Sequence, residues 1–166
     1  MNSITIGFSR PKKFNPFSYL IMLADRSSFS HAYIEFNSEF YQRNLIYQAS
    51  GLSVNFIGED LFNSKEVTVK EFTIPISDEA KKQVVQFAID HAGLPYNIGG
   101  VVGIGAVKFC ALFGKRIKNP ITGNGYFCSE LAAQILQDFE DASFSSQDIQ
   151  KMTPTDLYDY LQAKYG

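Results

Sequence analysis

The chain has no tryptophan, only two cysteines and two histidines, and no long run of charge of either sign. The missing tryptophan excludes no function. Two cysteines cannot staple a disulfide framework, and free thiols are expected rather than a bridge. Two Cys and two His raise the question of a Cys2His2 metal site. No pair stands at the close spacing of zinc ligands, so no metal and no cofactor are expected. A net charge of −2 with scattered Lys and Arg gives no electrostatic footprint for nucleic acid. Met1 to Gly7 lacks the basic start and apolar core of a signal peptide, which predicts a cytoplasmic location. The one run that needs a membrane check, Asn97 to Gly114, is short, broken by glycines and interrupted by Lys108. It reads as a buried or substrate-facing helix, and membrane association is not favoured. Oligomeric state is not legible.

What is present is a globular composition: 45% hydrophobic and 19% charged residues over 166 positions. That length is enough for one domain with a real core, taken as 1–166. Ile4–Phe8 alternates as a strand. Asn15-Pro16 opens a short apolar helix through Tyr19, Leu20, Ile21 and Leu23, with Asn as N-cap. Ser30–Phe36 is strand-like, with His31, Tyr33 and Glu35 on one face and Ala32, Ile34 and Phe36 on the other. Leu45–Ala49 returns beside it and stops at Ser50-Gly51. Ser53–Ile57 and Val67–Ile74 add strands to an antiparallel sheet. The second half turns helical. Ser77 caps a helix from Asp78 to Ala92 with Gly93 as its stop, and a second begins at Cys128. Thr153 and Asp156 frame the last in a capping-box arrangement. Strands early and helices late predict an α+β fold, with the sheet packed against helices and Cys128 at a helix N-terminus.

The chemistry starts at Cys128. Unsatisfied amides at a helix start and the helix dipole pull a thiol pKa down and offer an oxyanion cradle. The bland reading is a buried, inert Cys. Cys110 sits inside the apolar run Val107–Leu112 and reads as core. His31 is the one His on a strand, whereas His91 ends a helix and complements its dipole. A third group must orient the imidazole. Glu35 shares the His31 face but lies about 13 Å along the strand at ~3.3 Å per residue. Gln48 on the return strand reaches across, and an amide orients a neutral tautomer as Asn does in papain-like triads. Gln48 is therefore preferred and Glu35 is the weaker alternative.

These pieces resemble a known pattern. Gly93-Leu94-Pro95-Tyr96-Asn97-Ile98-Gly99-Gly100 is similar to the G-x-P-Y-x-x-G-G segment of NlpC/P60 cysteine peptidases, and Cys128-Ser129 to their nucleophile turn. His31 precedes Cys128 here, an inverted order that resembles the circularly permuted branch containing the YiiX-like and lecithin:retinol acyltransferase-like proteins. The YiiX-like group fits best. Ser30-His31-Ala32-Tyr33-Ile34 resembles its S-H-x-x-[IVL] strand, and Leu45 to Val54 its V-I-E-A-x-x-G-V return strand. Tyr126 to Leu131 resembles Y-x-C-S-E-L, and Thr153 to Leu157 its closing T-P-x-D-L. Two departures stand out: Gln48 where the family often has an acid, and a long apolar connection from Gly99 to Tyr126.

The resemblance implies a circularly permuted papain-like NlpC/P60 fold. It further implies catalytic Cys128 and His31 with Gln48, and Tyr96 and Ser129 at the substrate or oxyanion. The leading expectation is a thiol hydrolase cleaving an amide, peptide or isopeptide bond through an acyl-enzyme. An acyltransferase or thioesterase acting on acyl substrates with the same dyad is the alternative, and a non-catalytic binding module on the same fold is the third.

Overall fold

The computed structural model describes residues 2–38, 42–51, 53–97, 99, 126–139, 144 and 149–166. Cys110 and most of the apolar 97–114 run lie outside them. The described residues form β1 (Asn2–Pro11), α1 (Pro16–Asp25), β2 (His31–Ser38), β3 (Arg43–Ser50), β4 (Ser53–Gly58) and α2 (Glu59–Lys65). They continue with β5 (Glu66–Ile76), α3 (Asp78–His91), α4 (Cys128–Phe139) and α5 (Pro154–Tyr165). The fold is α+β around a five-stranded antiparallel sheet.

The local signals act as their chemistry requires. Asn15 Oδ1 accepts from the Phe17 and Ser18 amides at 3.0 and 3.2 Å, starting α1 with Pro16 at its first position. Ser77 Oγ accepts from Ala80 N–H at 3.0 Å to start α3. Gly93 takes φ +87° just beyond that helix, where a side chain would be strained. Thr153 and Asp156 complete a reciprocal capping box at α5. Helix α2 was not anticipated. Its seven residues bury only Phe62 and carry no side-chain cap, so no periodicity announces it. β1 runs on to Pro11 because its pairing with β5 continues to Pro11↔Glu66.

The sheet order is β4-β3-β2-β1-β5. One face carries Ile4, Ile6, Phe8, Ala32, Ile34, Phe36, Tyr47, Val54, Phe72 and Ile74. Val84 and Ala88 of α3, Leu131, Ile135 and Leu136 of α4, and Leu157 and Leu161 of α5 cover it to form the main core. The apolar residues of α1 stay outside this core, with Tyr19, Leu20 and Leu23 exposed.

The opposite face holds a smaller cluster of Tyr33, Ile46 and Phe62. Three carboxylates gather there. Burial, then Glu71 and Glu59, raise Glu35 to about 7. The fold therefore opposes the ionised form, so this group's contribution is favourable below pH 4.5 and is lost as pH rises toward 7. Glu35→Gln should accordingly raise the melting temperature at pH 8 and leave it unchanged at pH 4. An equal gain at both pH values would show that the charge is not the cause.

Candidate active site

Why the thiol end of α4 is open follows from the residue before it. Phe127 has no side-chain oxygen to cap a helix. Only half of a reciprocal cap forms: Glu130 Oε2 accepts from Phe127 N–H at 3.3 Å, while Leu131 N–H bonds Phe127 O at 3.0 Å. The amides of Cys128 and Ser129 are left to face the Cys128 sulfur, and the Ala32 amide faces it too. The thiol thus lies against the start of β2, at the residue next to His31.

The sheet geometry explains that notch. Pairing of β2 with β3 begins at Ile34↔Tyr47 and runs toward Ser38↔Arg43. His31–Tyr33 and Gln48–Ser50 lie past the end of this ladder. One step beyond the last pair, Gln48 falls on the diagonal to His31 on the same face. His31 Nε2 lies 2.8 Å from Gln48 Oε1.

The polarity of this contact is dictated from its far end. Asn55 Nδ2 lies 3.0 Å from Ser53 O and 3.4 Å from Ser50 O, and carbonyl oxygens only accept. Asn55 Oδ1 therefore points at Gln48, where Gln48 Nε2 donates at 3.4 Å. Gln48 Oε1 is left for the imidazole, so His31 Nε2 carries the hydrogen and Nδ1 keeps its lone pair. Two backbone carbonyls set the tautomer of the histidine.

Electrostatics depart from the expectation for a helix-start thiol. Burial pushes Cys128 above the ordinary cysteine range, and it outweighs the three amides and the Ser129 hydroxyl that pull the other way. Burial is also the largest influence on His31, holding it below 6.5 against the Gln48 bond and the Glu66 carboxylate. Both shifts favour the uncharged form, the thiol at Cys128 and the neutral imidazole at His31. The helix-start amides still favour the thiolate, but the loss of water around the buried sulfur costs more. Iodoacetamide alkylation of Cys128, with Cys128→Ser as blank, should accelerate only above about pH 9. An inflection near pH 7 or below would establish a thiolate instead.

The stability signs follow. His31 is depressed, so its contribution is present above 6.5 and is lost as pH falls through that value. Cys128 is raised, so its contribution is present at neutral pH and is lost above the ordinary thiol value of 9.0.

The other sequence candidates separate. Tyr96 is tied to the turn before Cys128: it bridges Tyr126, while Asn97 N–H bonds Tyr126 O at 3.0 Å and Tyr126 N–H bonds Pro95 O at 3.3 Å. Burial and the nearby Cys128 charge both raise its phenol. Ser129 stands beside the Cys128 sulfur with both its amide and its hydroxyl. Its hydroxyl is fully buried and donates to Met152 O at 2.6 Å, so its single proton anchors α4 to the turn before α5. Glu35, the weaker alternative, is a correction, because the His31 ring bonds Gln48 while Glu35 sits with Glu71 and Glu59. His91 bonds Phe87 O at 2.8 Å and stacks on the Phe87 ring, a helix-end role as read from sequence. Among the described residues no group of His, Cys, Asp and Glu is arranged to hold a metal.

Three participants were not foreseen: the Ala32 amide, Glu66 and Asn55. Glu66 accepts from Ser9 Oγ at 3.1 Å, and Ser9 pairs with His31. Asn55 was legible in principle. The hairpin closes at Ser50↔Ser53 around Gly51, at φ +68°, and counting back two pairs gives Gln48↔Asn55. Two buried hydroxyls flank the relay in sequence, Ser30 Oγ and Tyr47 Oη, and neither has a hydrogen-bond partner. The chain matches no protein-family profile and no curated protein.

Proposed function

We propose that this chain is a thiol hydrolase of the circularly permuted papain-like NlpC/P60 kind, closest in pattern to the YiiX-like group. The observation that carries the reading is a helix-start thiol against the β2 residue next to His31, with His31 held in one tautomer by Gln48 and Asn55. His31 Nδ1 takes the Cys128 proton as the sulfur attacks an amide carbonyl. The amides of Cys128 and Ala32 are candidates to hold the oxyanion. The C–N bond breaks as His31 returns the proton to the departing nitrogen, leaving a thioester on Cys128. Water, deprotonated by His31, then attacks the thioester. The C–S bond breaks, and the thiol regains its proton. Because the resting pair is neutral, deprotonation accompanies attack rather than preceding it.

Incubation with p-nitrophenyl acetate should leave one acetyl group on the Cys128 peptide by mass spectrometry, and none in Cys128→Ser. Absence of that adduct in the intact protein, with p-nitrophenol release no faster than in Cys128→Ser, would sink the reading. The non-catalytic module is the second reading, and the enclosed, neutral thiol is the observation that favours it. The acyltransferase or thioesterase alternative uses the same acyl-enzyme; its motive, the apolar 97–114 run, lies mostly outside the described residues.

A further inference from the structure

Helix α1 is the anomaly of the molecule. Its sequence, PFSYLIMLAD, is among the most apolar in the chain, yet none of its ten residues is buried. Leu23 is 66% exposed, Tyr19 51% and Leu20 46%, and Phe14 just before the helix is 74% exposed. The Phe14 and Tyr19 rings lie 5.0 Å apart, so the exposed residues form one patch rather than scattered singles. Phe17, Ile21, Met22 and Ala24 are half-buried against the chain, which leaves Tyr19, Leu20 and Leu23 as an outward apolar face without cover.

The charges around that face say what fits it. Arg10, Lys12 and Lys13 precede the helix and Arg26 ends it, all four exposed. The one acid of the segment, Asp25, accepts from Thr155 Oγ1 at 3.4 Å and is drawn toward α5. Residues 10–26 thus carry four cations against one carboxylate, a net +3, on a chain whose total is −2; the remainder carries −5. Apolar residues with an aromatic pair, bracketed by cations, complement an anionic lipid surface. A single weak apolar anchor binds only marginally, and the basic bracket supplies the second signal.

We propose that α1 and its basic flanks dock this protein on an anionic membrane surface. No described helix is long and apolar enough to cross a bilayer, so α1 lies in the interface, about 15 Å long at ~1.5 Å per residue. It ends at Asp25, six residues before His31, which holds the candidate site within about 20 Å of chain from the docked helix. The docking stands on the helix and its charges alone and holds whether or not Cys128 is a nucleophile.

The test is co-sedimentation of the full chain with mixed phosphatidylcholine–phosphatidylglycerol vesicles against pure phosphatidylcholine. The protein is expected to pellet with the mixed vesicles, with raised salt weakening this. Lys12→Glu/Lys13→Glu should reduce binding at least about tenfold, and Leu20→Glu/Leu23→Glu should remove it. Failure of wild type to pellet, or full binding by Leu20→Glu/Leu23→Glu, overturns the proposal. Because the chain has no tryptophan, Leu20→Trp supplies a single reporter on an already exposed position. Its emission should be that of a wet indole alone and shift to the blue only with anionic vesicles. Blue emission without vesicles would mean that α1 is covered by its own chain, or by a second copy if the shift grows with concentration. Either result refutes membrane docking.

Discussion

His31→Ala should slow acylation of Cys128 by p-nitrophenyl acetate at pH 7 by roughly 10²–10⁴-fold, the usual contribution of a positioned general base. The size of the effect rests on the resting state. Burial keeps the thiol protonated and the imidazole neutral, so without His31 the attack begins from a thiol with nowhere to put its proton. Removing the ring also leaves Gln48 Oε1 without its donor, a separate stability cost of about 1–2 kcal/mol. Far-UV circular dichroism and a melting curve distinguish that cost from the rate loss.

The relay gives the same prediction a second arm. Gln48→Glu replaces the neutral acceptor at 2.8 Å by a carboxylate, which stabilises the imidazolium and raises the histidine pKa. The acid limb of the rate profile, set in wild type by an imidazole held below 6.5, should then move to higher pH. Gln48→Leu should lose rate without that displacement. Were all three variants to acylate at the wild-type rate, the His31–Gln48–Asn55 relay would be structural and the binding-module reading would gain.

Gly7→Ala should lower stability by about 3 kcal/mol through overpacking, seen as a fall in melting temperature of roughly 6–12 °C for a chain of this size. Gly7 pairs with Tyr33 across the β1–β2 ladder, and the Tyr33 ring lies over it. An added Cβ would stand 2.1 Å from Tyr33 Cζ, so the ring must leave. That ring is 4.5 Å from the Phe62 ring, and its hydroxyl donates to Glu71 at 2.7 Å with Thr68 at 3.0 Å. Displacing it empties the small cluster and strands a phenol among carboxylates. In Gly7→Ala/Tyr33→Leu the second change should add much less than Tyr33→Leu does alone, because the clash has gone. Simple additivity of the two would mean that the ring is not the obstacle.

Much of the architecture was legible locally because its signals are local. Asn15, Ser77 and the Thr153–Asp156 box bond amides two or three residues away, so the caps need no tertiary partner. The two-residue period of β2 puts Ala32, Ile34 and Phe36 in the main core and Tyr33 in the smaller cluster on the other face. Helix α2 escaped notice because it is one short segment with one buried residue.

What the sequence by itself determined was the order of elements other than α2, the alternation of β2, and a short set of candidate residues around Cys128 and His31. It also indicated Gln48 over Glu35, since strand rise alone separates the latter from His31. The tertiary structure decided the rest. The β2–β3 ladder ends at Ile34↔Tyr47, the Cys128 sulfur meets the Ala32 amide beyond it, and the carbonyls of Ser50 and Ser53 orient Asn55, Gln48 and finally His31. Burial reversed the expected direction of the Cys128 shift and turned Ser129 toward Met152. The reason is physical: caps and alternation depend on neighbours along the chain, whereas desolvation and hydrogen-bond polarity depend on atoms that only folding brings together.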